Sequence, residues 1–457
     1  MTSQKQSQIT EEILQGNLIK LMFKLSIPSI LGILMLSLNS FLDALFAGQF
    51  IGETALAGIS LALPLTGIVN GFALLVGVGS ASVLSRAIGS GDIKTQSKIF
   101  SNLTVMSVAI SFAITIIGYS FGEELIVFMA GSGEVASVGA EFFKTYTLGS
   151  VFLILAVASS QIIKSEGKIR LSTVFDWIFV IVNISLNFIF ISIFHWGIQG
   201  IALATVMAMV VYSIVNLTYF ISGKSSISVN FKNLVAIDLL PAILSVGISA
   251  LLYPVMELVQ SFVIFQSISN YGTYNDIAFF GATGKVGSFI LIPIIGFTQA
   301  LQPIIGMNYG ARNYARVKKA YLTFAIIGTL LLILIWIPLQ LSPKTFLWLL
   351  LPDVDFTNND VLNFRLFNIL TPLWPLAFFG NTLFQSIGKG QIVFIVILLR
   401  SLVFKVPLIL IFAKSLGVRG TYYGMMFADI LFLLLTFALT FIEFTNLSTM
   451  QMQKSEL

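Results

Sequence analysis

Uninterrupted apolar stretches of twenty residues or more recur from one end of the chain to the other, and they leave few structures open to it. As a helix, about 20 apolar residues cross the roughly 30 Å hydrocarbon core of a bilayer. Twelve such spans can be read: Leu21–Phe46, Ala55–Leu84, Phe100–Tyr119, Ala140–Ile163, Leu171–Ile193, Ile201–Ile221, Leu239–Phe265, Ile277–Ile305, Tyr321–Leu339, Leu366–Ile387, Val393–Phe412 and Thr421–Ile442. Only 10% of the 457 residues are charged, against roughly 25% in soluble domains. No soluble fold of this size buries so much apolar surface, so lipid is the solvent for most of the chain. The alternating ten-residue strands of a membrane barrel are absent. The sequence therefore predicts an all-α integral membrane protein with spans 1 to 12.

Lysine and arginine set the expected orientation, because they are retained on the cytoplasmic side. With the N-terminus inside, inside segments hold 17 basic residues, among them Lys20, Arg86, Lys164, Lys168, Lys232, Arg316 and Lys389. Outside segments hold 5: Lys144, Lys344, Arg365, Lys414 and Arg419. The outside loops carry acids instead, Glu123, Glu124, Glu134, Asp353, Asp355 and Asp360. An even number of spans places both termini in the cytoplasm. Met1–Gln15 is polar and shows no cleavage pattern, so no signal peptide is expected. The basic residues are scattered singly, which argues against a nucleic-acid partner. The absence of cysteine excludes disulfides, iron–sulfur clusters and thiolate zinc sites. The single histidine, His195, lies in a short loop beside Trp196 and reads as an interfacial residue.

The chain repeats itself. Gly77, Ala81 and Gly91 each lie 219 residues before Gly296, Ala300 and Gly310. Gly197-Ile-Gln-Gly200 matches Gly417-Val-Arg-Gly420 at an offset of 220, and Gly167-Lys168 matches Gly388-Lys389 at 221. Three matches in order at nearly one offset indicate duplication. The offset covers six spans, an even number, so the repeats share one membrane orientation and an axis along the membrane normal relates them. The expected boundary lies in the polar stretch Ser222 to Asn233, giving an N-lobe at 1–225 (spans 1–6) and a C-lobe at 226–457 (spans 7–12). Gly77, Gly79, Pro28, Pro64 and Pro293 mark close packing or hinges.

Three segments resemble the multidrug and toxic compound extrusion (MATE) family. Asn39-Ser-Phe-Leu-Asp43 followed by Ala47-Gly48 is similar to its span-1 acid motif. Gln299-Ala-Leu-Gln-Pro303 leading into Gly306-Met-Asn-Tyr-Gly310 is similar to its span-8 proline–glycine motif, and Phe384-Gln385-Ser-Ile-Gly388-Lys to its span-10 end. The resemblance covers essentially the whole chain. It implies two six-helix bundles in a V around a central cavity. It also implies export of amphipathic, often cationic, organic compounds, driven by inward flow of H⁺ or Na⁺.

An ionisable residue within a span costs about 2.5–3.5 kcal/mol, so each one retained is a candidate for function. Asp43, in the outer third of span 1, is the first. Asn183 and Asn187 on span 5 lie at similar depth, and their i, i+4 spacing puts both amides on one face. Thr205 begins near the outside on span 6. A carboxylate, amide oxygens and a hydroxyl make the oxygen-rich set that hard cations use; Asp43, Asn183 and Thr205 are the candidate Na⁺ ligands. The resemblance implies an N-lobe cation or proton site at these positions, with one departure: Asn187 stands where many members carry a second acid. Losing that negative charge weakens a Na⁺ site and leans the expectation to H⁺. Asp176 shares the asparagine face but lies roughly 16 Å deeper than Asn187. It is a relay or cavity-floor candidate, or a helix-end acid paired with a nearby base.

Glu257, ten residues after Gly247, resembles the span-7 glutamate that couples cations in some members. Thr382 occupies the position of its usual acidic partner. Lys285 is a candidate ion-pair partner for Glu257, which would make that acid structural. Tyr253 and Gln260 are candidate cavity neighbours. Arg400 and Lys405 line an aqueous cavity or snorkel, and Asp429 can pair with either. The 41 phenylalanines, 13 methionines and 12 tyrosines suit a compliant cavity for aromatic or cationic ligands, though most face lipid in any such chain.

No phosphate-cradling glycine loop is present, so ATP is not the expected energy source. No Ser/His pair or metal-ligand cluster supports an enzyme. The expectation is a monomeric, multi-pass antiporter of the inner membrane, surrounded by lipid, with no cofactor beyond the coupling ion. The rival reading is a lipid-linked oligosaccharide flippase of the same superfamily, which needs an arginine-rich cavity.

Overall fold

The computed structural model describes residues 2–129, 131–227, 236–352 and 354–456. Lys232, Asp353 and the later part of the expected boundary, from residue 228, lie outside the described residues. Within them the secondary structure is helical. Eleven helices are long and apolar enough to cross a membrane, and a bent pair supplies the twelfth span.

A polar helix α1 (Thr2–Gln15) precedes the spans. The first half then runs α2 (Leu18–Phe46), α3 (Glu53–Ser90), α4 (Ile93–Ser120), short α5 (Gly122–Phe128), α6 (Gly133–Leu148), α7 (Ser150–Ser165), α8 (Ile169–Asn187) and α9 (Gly197–Ile221). The second half runs α10 (Leu240–Tyr271), α11 (Tyr274–Gly310), α12 (Tyr314–Leu341), short α13 (Pro343–Trp348), α14 (Asn358–Asn368), α15 (Trp374–Ser386), α16 (Gly390–Leu398), α17 (Val406–Leu416) and α18 (Val418–Glu456). Polar side chains start these helices where the sequence provides them. Asn17 accepts from the amides of Ile19 and Lys20 to cap α2, and Thr273 with Asp276 forms a reciprocal capping box on α11.

The fourth span is not one straight helix. It breaks between α6 and α7 at Gly149, with a 59° bend. The Thr115 hydroxyl donates to the Thr147 carbonyl at 2.9 Å, taking up an acceptor at the break, and Ser150 donates across to the Ser111 carbonyl. Gly149 also lies where a side chain would meet Val206 of α9, so the bend lets α9 approach closely. The tenth span changes direction less sharply, through a 3₁₀ turn at Thr371–Leu373 that contains Pro372.

The two halves meet at the end that holds the termini. Asn308 and Arg316 donate to the Ile13 carbonyl of α1, and Gln451 of α18 accepts from the Ala315 amide, so α1 and α18 finish at the same end. One apolar core runs through both halves there. The far parts of the first six spans build a core of their own, from Ala47 and Ile59 to Ile201 and Met209, with no second-half residue in it. The halves are therefore joined at one end and separate at the other. Close approach at the joined end depends on glycine. A Cβ on Gly79 would lie 2.3 Å from the Ile243 carbonyl oxygen, and one on Gly247 would lie 2.2 Å from that of Leu75, which locks α3 against α10. Gly296 packs on Ile30 of α2 in the related position of the second repeat. The motif glutamines lie at this seam as well: Gln299 accepts from Ser29 at 2.6 Å, and the Gln385 carbonyl accepts from Ser82 at 2.5 Å.

The segment that follows α9 is pinned rather than loose. Glu166, fully buried, accepts from Ser225 Oγ at 2.5 Å, from the Ser226 amide at 2.7 Å and from the Tyr219 hydroxyl. Lys168 lies 3.4 Å from it. Beyond residue 235, Asn102 of α4 exchanges two hydrogen bonds with the backbone of Ala236. Removing one partner of a buried ionic network costs about 3–5 kcal/mol. Glu166→Ala should therefore lower the thermal midpoint of the detergent-purified protein by roughly 3–5 °C. The exposed Glu11→Ala should leave it unmoved, and equal midpoints for the two variants would refute a pinning role.

Candidate functional site

Asp43 sits in the last turn of α2, at the end where the halves stand apart. Its helix continues into a π-helical turn, Ala47–Ile51. α8 likewise passes straight from Asn187 into a π-helical stretch, Phe188–Ile193. Such wide turns occur often at functional sites, because the changed hydrogen-bond ladder re-aims side chains.

The side chains expected to converge do so. Asn187 Nδ2 donates to Asp43 Oδ1 at 2.6 Å and to Asn183 Oδ1 at 3.0 Å. Asn183 Nδ2 donates to Thr205 Oγ1 at 3.2 Å, and the Thr205 hydroxyl passes its own proton to the Ile201 carbonyl at 3.0 Å. One polar chain thus connects α2, α8 and α9. Asn183 and Asn187 are wholly buried, and Asp43 is half-buried. Asn39, one turn before Asp43 on α2, donates to Asp43 Oδ2 at 3.1 Å. Sequence reasoning left Asn39 in a motif without a role, although its i, i+4 relation to Asp43 was the available signal. Both carboxylate oxygens are hydrogen-bonded by amides, an arrangement suited to the ionised form. The carbonyl oxygens of Asn39 and Asn187 accept no hydrogen bond. Two such buried acceptors beside a carboxylate suit a site that admits a small cation.

Asp176 stands apart from this group. Its Oδ1 accepts from the Tyr212 hydroxyl at 2.5 Å, and its Oδ2 lies 3.7 Å from Lys164 Nζ. Both partners of that ion pair are buried. The base beside it is of the kind that the paired-acid alternative called for. Its neighbour Thr173 donates to the carbonyl of Pro28 at 3.0 Å, tying α8 to the proline turn of α2.

In the second half, Glu257, Tyr253 and Gln260 line a cavity of ≈ 230 Å³ together with Arg400, Lys405 and Asp429. Gln260 donates to Ser401 at 2.8 Å. Arg400 pairs with Asp429 at 3.2 Å, the partner expected for one of the two bases. The expected contact between Glu257 and Lys285 is not made: among the described residues no ion pair joins them, and Lys285 does not line the cavity. Both side chains are exposed, Glu257 on the cavity wall and Lys285 off it, so the pairing that spacing allowed is not made. His195 adopts a left-handed conformation, φ 55°, in the exposed turn before α9. Among the described residues no cluster of three or more His, Cys, Asp or Glu could hold a metal ion.

The MatE family model matches residues 28–189 and 242–411. The multidrug export protein MepA of Staphylococcus haemolyticus (strain JCSC1435) is 23% identical over 424 residues, covering 91% of both chains. MepA of Staphylococcus aureus (strain MSSA476) is 23% identical, covering 90% of both. Among solved structures, a MATE crystal structure in the bent conformation superposes with a TM-score of 0.91 at 22% identity, covering 97% of this chain and 99% of that one. The straight conformation gives 0.88 at 23% identity, covering 96% and 98%.

Proposed function

Because this chain belongs to the MatE family of membrane transporters, we propose that it is a secondary antiporter that exports amphipathic, mainly cationic, organic compounds against an inward flow of protons. Export of drugs is what the names of its MepA relatives describe, and their chains match this one along nearly its full length. The observation that carries the coupling reading is the hydrogen-bonded chain Asp43–Asn187–Asn183–Thr205 at the separated end of the first half. It holds one carboxylate. A proton needs only that one group, whereas a Na⁺ ion asks for several oxygen ligands and gains from a second negative charge. Asp43, Asn183 and Thr205, with the free oxygens of Asn39 and Asn187, are the ligands a Na⁺ ion would use instead.

In this reading the basic end that holds both termini faces the cytoplasm, as the distribution of lysine and arginine favours. The lobes are 1–225 and 226–457, and the separated end opens outward. The protein works as a monomer in the bacterial inner membrane. The flippase reading would need free cavity arginines, and Arg400 is already committed to Asp429.

The test of coupling uses everted membrane vesicles with an acidified interior. Adding a lipophilic cation such as tetraphenylphosphonium should dissipate the pH gradient, at a rate that stays constant while Na⁺ is varied at fixed pH. A rate that rises in proportion to Na⁺ would transfer the coupling to sodium.

A further inference from the structure

The second-half cavity is built for something other than the exchange at Asp43. It lies between α10, α11, α15, α18 and a π-helical turn, Leu399–Lys405, that interrupts span 11. Where hydrogen bonds run from i to i+5, residues five apart come onto one face. That turn brings Arg400 and Lys405 together into the cavity, where a regular α-helix would send them to different sides.

The four charged groups of the cavity fall into two kinds. Arg400 and Asp429 are satisfied. The guanidinium donates through Nε and Nη2 to Asp429 Oδ1, both at 3.2 Å, and stands over the rings of Trp374 at 4.8 Å and Phe432 at 4.6 Å. Glu257 and Lys405 are not. Among the described residues neither has an ion-pair or hydrogen-bond partner, and they do not pair with each other. A third unfilled group is the buried carbonyl oxygen of Asn381, which accepts no hydrogen bond. An acid and a base without ion-pair partners thus share the wall of one cavity, and a ligand that enters it meets both charges. A cationic ligand satisfies Glu257 and leaves Lys405 facing a like charge. An anionic ligand does the reverse.

We propose that this cavity binds an amphoteric ligand, a compact aromatic amine that also carries an acidic group, with its ammonium end at Glu257 and its anionic end at Lys405. The Asn381 oxygen takes an N–H of the same amine end, and the aromatic and methionine walls take the ring. The proposal rests on the export reading and narrows it, since it selects compounds of both charges over simple cations for this half of the protein.

Calorimetric titration of the full-length protein in detergent tests it without any transport. The probes are 4-(aminomethyl)benzoic acid, its methyl ester, which keeps only the positive charge, and 4-methylbenzoic acid, which keeps only the negative one. The amphoteric acid should bind about tenfold tighter than either relative, as one added charge contact at reduced dielectric allows. Lys405→Met should bring it down to the affinity of the ester, and Glu257→Gln to that of 4-methylbenzoic acid. Because the two variants act on opposite ends, misfolding of one leaves the other to decide. Equal affinity for acid and ester in the unaltered protein overturns the proposal, as does a Lys405→Met protein that keeps the preference. Flat binding with intact export defeats this inference alone; preserved binding preference without any export defeats the export reading. Phosphatidylethanolamine carries the same two charges, so the titration is repeated in nanodiscs. Competition in that lipid but not in phosphatidylglycerol assigns the same charge chemistry to a lipid headgroup.

Discussion

Asp43→Asn should reduce proton-driven export by roughly a thousandfold while leaving the protein folded. The substitution keeps the shape of the side chain and one acceptor oxygen for Asn187, which now bonds it at 2.6 Å; its new NH2 faces Asn39, now at 3.1 Å, whose amide turns to offer its free oxygen. What it removes is the change of charge. A carboxylate and a unit cation about 4 Å apart interact by about 4 kcal/mol at the effective dielectric of a partly exposed site. Each 1.4 kcal/mol is about tenfold in an equilibrium, which gives the thousandfold figure. The measurement is substrate-driven release of a pH gradient in everted vesicles, beside the expression level and thermal midpoint of the variant. Asn187→Ala should do less, because Asn39 still holds the carboxylate. Asp176→Asn should lower stability more than coupling, because that acid is spent on Lys164 and Tyr212. An Asp43→Asn protein that exports at the normal rate would remove the acid from the mechanism and leave Glu257 as the next candidate.

The spans and the Asp43 group were legible in the sequence for the same reason: each is a local pattern. Hydropathy over twenty residues marks a span whatever it packs against, and i, i+4 spacing puts Asn183 and Asn187 on one face before any neighbour is known. The break at Gly149 was not legible, because it depends on Thr115 and Val206 arriving from other helices. Lys164 went unread as the partner of Asp176 for a similar reason. It lies one loop away at the end of α7, and only the fold turns both side chains inward. The pairing of Lys285 with Glu257 failed because spacing along two helices fixes depth and not direction. Arg400 and Lys405 were readable as cavity candidates, but the π-helical turn that brings both to one face was not, since it breaks the 3.6-residue period at those residues. The polar segment Met1–Gln15 was read only as a polar start, yet it forms α1, whose Ile13 carbonyl bridges Asn308 and Arg316 of the second half.

Gly89→Ala combined with Gly310→Ala should force the joined end open. A Cβ on Gly89 would lie 1.9 Å from the Met307 carbonyl oxygen, and one on Gly310 would lie 2.1 Å from that of Arg86. Both obstacles are backbone atoms of the opposing helix, so no rotamer change relieves them; α3 and α11 must separate. Overpacking of this kind costs typically 1–3 kcal/mol per site. Here the cost falls on one state of an equilibrium rather than on the fold, because each helix is unchanged within its own half. Even one such site shifts the ratio of closed to open at this end by roughly 5- to 150-fold. Gly67→Ala on the same α3 meets nothing within 4 Å and is the matched control. The chain has no cysteine, so spin labels attached through Ile93→Cys and Ala315→Cys report one distance across the seam without background. The unaltered protein and the Gly67→Ala variant should give the same narrow short distribution. The double glycine variant should populate a longer distance and export slowly, since a transporter that cannot close one end cannot complete a cycle. A short distribution retained by the double variant would mean that the helices absorb the methyl groups within each half, and that the glycines serve packing alone.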